Sequence, residues 1–278
     1  MFEARWGEGG TVLAPRVTPP SDDGHKYDRG HAFVLSGPRH RTGAARLAAT
    51  ACLRMGAGLV TLVGEKAALD EHAAHVTAIM LLQDDGAYDF MDERTRAVAL
   101  GPGLGVGGAT REKVLTLLAE EFATVLDADA LTSFADAPGD LFDKLYPQCV
   151  LTPHAGEFAR LFPDIDLDDP ASAVREASSR SGATVLLKGA YTHIAAPDGR
   201  HAVNRHASPW LATAGAGDVL TGVIAGLLSQ NLSGFEAASM GAWIHGDAGR
   251  RGGAGLIADD LPGLLAPTLR ALCDEPDA

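Results

Sequence analysis

Gly215-Ala216-Gly217-Asp218 stands directly before the apolar run VLTGVIAGLL, which reads as a helix. A helix start presents unpaired N–H groups and a partial positive charge, and small residues let an anion approach them closely. The turn is therefore a candidate anion hole built from Ala216, Gly217 and Asp218. Asp218 has two readings there: an ordinary helix cap, or a base that accepts the proton of a hydroxyl lying beside a bound phosphate. Lys188-Gly189 closes another apolar run, TVLLKG. Ligands of open α/β sheets sit beyond the carboxyl ends of strands, so Lys188 either extends into solvent or faces phosphate. Asn204 and Thr213 add polar groups between these two stretches.

Three further patterns could carry chemistry. Gly103, Gly105 and Gly108 satisfy GxGxxG after a strand-like run, with Asp127 following at the distance a dinucleotide fingerprint requires. Glycine is dense in this segment, so chance agreement is easy, and a glycine-rich wall for close ligand approach is the alternative. His154, in Thr152-Pro153-His154-Ala155-Gly156-Glu157, stands at a strand-to-helix junction, where it serves structure or donates a hydrogen bond to ligand; Glu157 suits a helix's first turn. His72 and His75 share a helical stretch but lack a third ligand at convincing spacing. Neither a GxSxG elbow nor a Walker phosphate loop occurs.

The elements that must position these groups alternate. Strand-like runs at 31–37, 59–63, 76–82, 97–103, 123–129, 149–153 and 184–189 are separated by helical stretches near 42–55, 108–121, 154–162 and 170–181. Such short, nearly all-apolar strands predict an α/β fold, a mostly parallel central sheet flanked by helices on both faces. Residues 191–204 read as an antiparallel edge hairpin turning at Asp198-Gly199. Helices follow near 217–230, 235–250 and 259–273. Residues 1–24, rich in Gly and Pro, read as a surface arm or linker, with the fold starting near Gly30, and 274–278 as a solvated tail.

Composition bounds the function. The chain of 278 residues has 46% apolar residues, enough for one large domain with a continuous core. Its 23 Lys and Arg against 36 Asp and Glu give a net charge of −13, which disfavours nucleic acid and anionic membranes as partners. No apolar run approaches the length of a membrane span and no signal core opens the chain, so a cytoplasmic location is expected. Cys52, Cys149 and Cys273 are isolated and read as reduced packing residues.

Taken together, the stretches HKYDRGHAFVLSG, GAARLAATACLRMGAGLVTL, ALGPGLG, VLDADAL, LTPHAGEFARLF, VLLKGAYTHIAAPDGR, LATAGAGDVLTGVIAGLL and GAWIHGDAG resemble the ADP/ATP-dependent NAD(P)H-hydrate dehydratases of the ribokinase-like superfamily. The resemblance runs in family order from His25 to about Gly249 and defines a domain at 25–278. It implies removal of water from the S epimer of hydrated NADH or NADPH, driven by ADP or ATP with Mg²⁺ on the phosphates; ADP is the expected donor. It also implies that Lys188, Gly189, Ala190, Tyr191, Thr192 and Gly217 hold the nucleotide. Ala44, Gly105, His154 and Asp218 would contact the hydrate, with Asp218 as catalytic base. Metal ligands are left unassigned.

The same resemblance implies a homotetramer and a separate epimerase working in the same pathway, residues 1–24 resembling the junction that follows an epimerase domain in bacterial relatives. The chain departs from the family's Gly-Gly-Thr-Gly-Asp at 214–218, where it is nearer the Gly-Ala-Gly-Asp of sugar and vitamin kinases. Pro38-Arg39-His40-Arg41 is a second departure, in a loop expected to face substrate. A small-molecule kinase that releases its phosphorylated product is thus the alternative, and a non-enzymatic nucleotide-binding regulator a more distant one.

Overall fold

The structure is a computed structural model and describes residues 2–19, 25–86, 88, 91–92 and 94–274. Eleven strands are present among them: β1 (Phe2–Glu3), β2 (Arg16–Val17), β3 (His31–Leu35), β4 (Leu59–Gly64), β5 (Met80–Gln83), β6 (Thr95–Leu100), β7 (Ala123–Leu126), β8 (Cys149–Leu151), β9 (Thr184–Leu187), β10 (Thr192–Ala195) and β11 (His201–Asn204). The helices are α1 (Thr42–Arg54), α2 (Lys66–Ala73), α3 (Gly108–Leu118), α4 (Asp129–Thr132), α5 (Pro138–Phe142), α6 (Ala155–Leu161), α7 (Pro170–Ser181), α8 (Ala216–Leu228), α9 (Gly234–Gly252) and α10 (Leu261–Asp274).

Strands β3 to β11 form one nine-stranded sheet in the order β11-β10-β9-β8-β7-β6-β3-β4-β5. Every pairing from β9 to β5 is parallel, while β10 pairs antiparallel with both β9 and β11. The expected parallel sheet with its antiparallel edge hairpin is therefore present. Alternation along each strand divides the core in two. Ala32 and Val34 of β3, with Val60, Ala97, Val125 and Leu186, face α1, α8, α9 and α10. Phe33 and Leu35 of the same strand, with Val98, Leu126, Leu151 and Val185, face the helices from α3 to α7. Both faces are covered, which is why these strands lack polar alternation.

Three expectations need correction. The run 76–82 is only partly strand, because the Val76 N–H donates to the His72 carbonyl at 3.0 Å and keeps that residue at the end of α2; pairing with β4 begins at Met80. Residues 2–17 are also more than an arm preceding a fold that starts near Gly30. β1 and β2 pair antiparallel, Trp6 stacks on Phe235 of α9, and Val12 is buried with its N–H bonded to the Val203 carbonyl of β11 at 2.9 Å. Apolar anchors at Trp6 and Val12 dock the segment on the sheet's hairpin edge. Residues 1 and 20–24 of that arm, and 275–278 of the expected tail, lie outside the described residues. Cys52 and Cys149 are buried free thiols, whereas Cys273 is exposed rather than packed.

Candidate active site at the carboxyl edge of the sheet

The polar groups converge where β6, β7, β8 and β9 end. Beyond β7, Asp127 is 1% exposed and would be a poor carboxylate to bury alone. It is satisfied on both oxygens: Lys188 Nζ lies 2.7 Å from Oδ1, and Thr221 Oγ1 of α8 donates to Oδ2 at 2.9 Å. Beyond β9, Lys188 also lies 3.8 Å from Glu157 Oε2 of α6. The Lys188 N–H donates to the Pro153 carbonyl at 2.9 Å, and this bridge sets His154 and Lys188 side by side.

His154 caps α6. Its Nδ1 accepts from the N–H groups of Gly156 at 2.9 Å and Glu157 at 3.2 Å, and Glu157 Oε2 accepts from the His154 N–H at 2.8 Å. A nitrogen that accepts cannot carry the proton, so Nε2 bears it in the neutral ring, on a half-exposed side chain and 3.5 Å from Glu157 Oε1, where a ligand acceptor would compete with that carboxylate for the donor. The structural and ligand-facing readings of His154 are thus compatible.

Asp218 lies in the first turn of α8 but does not cap it. The cap position belongs to Gly215, at φ +90°, and no side chain caps this helix. A Cβ at Gly215 would lie 2.8 Å from Ala258 Cβ and 3.0 Å from Leu47 Cδ1, so glycine is required for both backbone angle and space. The capping reading of Asp218 is thereby corrected. Burial and the neighbouring Asp127 carboxylate push its pKa up to about 6, with Lys188 pulling the other way. A carboxyl held near the operating pH without a cap bond is suited to moving a proton.

The nucleotide candidates divide. Lys188, Gly189, Ala190, Thr192, Ala216 and Gly217 line one cavity of about 490 Å³, whose walls continue through Asn204, Leu220 and His245. Tyr191 lines an adjoining cavity of about 300 Å³ instead, its half-exposed ring 4.7 Å from the Arg205 guanidinium. Lys188, Gly189 and Ala190 border both. Gly217 stands over the ion pair: a Cβ there would be 3.5 Å from Lys188 Nζ and 3.8 Å from Asp127 Oδ2.

Of the remaining candidates, Ala44 lies in the first turn of α1, and Gly105 in the loop between β6 and α3. A Cβ at Gly103 would be 3.7 Å from Ala44 Cβ and 2.8 Å from the Arg41 carbonyl, so this loop packs on the start of α1. The Gly105 N–H donates to Asp129 Oδ2 at 2.7 Å. The dinucleotide fingerprint fails on Asp127, whose oxygens hold Lys188 and Thr221 rather than standing free for a ribose. The two histidines of α2 and its end do not form a metal site: buried His72 bonds Ser36 Oγ at 2.7 Å, and exposed His75 bonds Glu71 at 3.2 Å. Among the described residues no group of three His, Cys, Asp or Glu could hold a metal ion, and no helix is long and apolar enough to cross a membrane.

Sequence reading missed the Asp127–Lys188 pair, Thr221 and His245. Thr221 carried a usable signal, being three residues after Asp218 and hence on the same helix face. The partnership of Asp127 with Lys188 is made by strand order alone.

Comparison with known proteins follows the same lines. A family model described as NAD(P)H-hydrate dehydratase matches residues 32–267. The chain is similar to the bifunctional NAD(P)H-hydrate repair enzyme of Moorella thermoacetica, 39% identical over 273 residues, covering 91% of this chain and 51% of that one. It thus spans about half the length of the curated relatives it matches. Among solved structures, the ADP/ATP-dependent NAD(P)H-hydrate dehydratase of Bacillus subtilis, co-crystallized with ATP/Mg²⁺, superposes with a TM-score of 0.80 at 27% identity over 92% of this chain and 95% of that one. A ribokinase-like superfamily protein of Enterococcus faecalis superposes at 0.83 with 23% identity, covering 94% and 93%, which establishes the fold.

Proposed function

The chain belongs to the NAD(P)H-hydrate dehydratase family, and from that premise we propose that it restores NADH or NADPH from the S epimer of the hydrated coenzyme, using ADP or ATP. The observation that carries this reading is the meeting of Lys188, the Gly217 backbone and the uncapped, high-pKa Asp218 at one edge of the sheet.

The chemistry follows from leaving-group ability. Hydroxide is a poor leaving group and phosphate a good one, so transfer of a phosphoryl group to the C6 hydroxyl lets the ring nitrogen expel phosphate. Asp218 takes the hydroxyl proton as the oxygen attacks the terminal phosphorus and the bond to the bridging oxygen breaks, releasing AMP from ADP or ADP from ATP; once phosphate has left C6, loss of a C5 proton restores the ring double bond. The amides of Ala216, Gly217 and Asp218 stabilise charge on the transferring group, contacts worth roughly 3–4 kcal/mol each in comparable sites. Gly217 lets phosphate approach the backbone, and Lys188, Gly189, Ala190, Tyr191 and Thr192 hold the nucleotide. His154 donates from Nε2 to the hydrate, with Ala44 and Gly105 against its other parts.

Mg²⁺ fits this site as a passenger of the nucleotide. The described residues offer no three-ligand cage, and Mg²⁺ commonly binds through substrate phosphates and retained water. There it would neutralise phosphate charge. A homo-oligomer, tetrameric as the family resemblance implies, a cytoplasmic location, and an epimerase acting on the same hydrate complete the reading.

The test is to incubate the protein with hydrated NADH and ADP or ATP while following absorbance of the reduced nicotinamide. Recovery of absorbance together with free phosphate is expected. A stable phosphorylated alcohol, with no recovery, would instead identify a kinase that keeps its product.

A further inference from the structure

Asp127 is the most deeply buried acid of this edge, and the mechanism gives it no task. It is buried, and its two oxygens are taken by Lys188 Nζ at 2.7 Å and Thr221 Oγ1 at 2.9 Å. Lys188 has three acids to choose from. Its ion-pair partners are Asp127 and, more distantly, Glu157, not Asp218. The position of a Gly217 Cβ, 3.5 Å from Nζ, shows the ammonium lying against the backbone of the candidate anion hole.

We propose that Asp127 is a positioning residue for the reaction: it holds the Lys188 ammonium against Gly217 and away from Asp218, so that the lysine meets phosphate while the Asp218 carboxylate stays free to take a proton. The proposal rests on the reading of Asp218 as the base. Without Asp127, the ammonium is left between Glu157, 3.8 Å away, and Asp218, whose carboxyl already feels its charge, and an ammonium drawn to Asp218 makes that carboxylate a weaker base. Thr221 fixes the second oxygen, so the carboxylate cannot turn to follow a moving lysine.

The charged groups acting on Asp218 are Asp127 beyond β7, Lys188 beyond β9 and Asp129 on α4. From α1 the residue that meets the Gly215 turn is apolar Leu47. On α9, His245 interacts with the Ala216 backbone and with Lys188, and burial keeps it neutral. Glu157 of α6 reaches this set only through Lys188.

Asp127→Asn keeps the volume and an acceptor for Thr221 while removing the charge. Carboxyl ¹³C NMR reads the Asp218 titration without substrate. In Asp127→Asn it should move down by about one pH unit or more, and in Lys188→Met it should move up. The acid limb of the kcat profile should follow the Asp127→Asn shift, with kcat lowered roughly tenfold or more and nucleotide affinity weakened in the same direction as in Lys188→Ala. An Asp218 titration unmoved in Asp127→Asn overturns the proposal. So does one that moves down in Lys188→Met, and so does a wild-type Asp218 that titrates in the ordinary carboxylate range, which requires no variant to fold. Because these titrations need no turnover, an inactive wild-type protein would overturn the dehydratase reading while leaving the charge arrangement tested separately.

Discussion

The Lys188 N–H donates to the Pro153 carbonyl at 2.9 Å, and through this bridge the ends of β8 and β9 place His154 beside Lys188. Each also has a second duty, His154 as the cap of α6 and Lys188 as counter-ion to Asp127. Substitutions at this edge must therefore be chosen to separate structure from binding.

For His154 the separating variant is Asn, which caps a helix well but lacks the Nε2 donor. His154→Asn should stay within about 0.5 kcal/mol of wild-type stability while raising KM for the hydrate several fold; His154→Ala should lose about 1 kcal/mol as well. Denaturant unfolding and hydrate kinetics on both variants check this, and an unchanged KM in His154→Asn would remove His154 from the binding site.

Lys188→Ala leaves Asp127 buried without its cation. Breaking a buried pair costs about 3–5 kcal/mol, and partial solvent access to Lys188 puts the expectation at the lower end, about 3 kcal/mol. The same variant should raise the apparent constant for ADP or ATP more than that for the hydrate. Adding Asp127→Asn to Lys188→Ala should recover much of the stability and none of the nucleotide affinity, which calorimetric titration and thermal unfolding together would show.

Gly217→Ala exploits a glycine held by function rather than by shape. Its backbone angle is one that other residues adopt, and the added Cβ would make only ordinary contacts at 3.5 and 3.8 Å. As a helical Gly→Ala change it should be neutral or stabilising by up to about 1 kcal/mol. Nucleotide affinity should fall about tenfold or more if phosphate approaches that backbone. Wild-type affinity in a well-folded variant would argue that phosphate binds elsewhere.

Asp218→Asn should lose roughly 10²–10⁴ in turnover with ligand affinity kept within a few fold. Its stability effect has a definite sign. The folded pKa of about 6 lies above the ordinary 3.8, so the carboxyl stabilises the fold fully below pH 3.8 and that contribution is lost as pH rises through 6. The variant should therefore match wild type near pH 3.8 and exceed it above pH 6, by about 1–2 kcal/mol once partial solvent screening is allowed for. Unfolding curves across that range, alongside turnover, would expose a purely structural Asp218.

His72, His201 and His245 are each pushed down to about 4, chiefly by burial. Their folded pKa values lie below the ordinary 6.5, so their contribution is present above pH 6.5 and lost as pH falls towards 4. Three such groups give a slope of up to about 4 kcal/mol per pH unit, reduced by up to a third through the opposite titration of Asp218. Chemical denaturation at pH 7 and pH 5 should show a marked loss of stability at the lower value.

Much of this molecule was determined by local sequence. The apolar strand runs predicted a parallel sheet covered on both faces because a strand flanked by helices on each side can show no polar alternation, and β3 illustrates it with Ala32 and Val34 to one side and Phe33 and Leu35 to the other. The Gly215–Asp218 turn and Lys188 were legible for a similar reason: helix starts and strand ends announce themselves in a few adjacent residues. Tertiary structure alone decided which distant groups share charge. Asp127 follows β7 and Lys188 follows β9, and they meet only because β8 lies between those strands in the sheet and both end at the same edge. It also decided that Asp218 is a partly buried acid with a raised pKa rather than a cap, since Gly215 takes the cap position and partial burial, with Asp127 beside it, disfavours the charged carboxylate. Docking of residues 2–17 was hidden in the same way, because the burial of Val12 depends on a partner at Val203 that no local pattern contains. A linear pattern specifies periodicity and turn geometry, whereas charge pairing and burial depend on which surfaces the sheet order brings within a few ångströms.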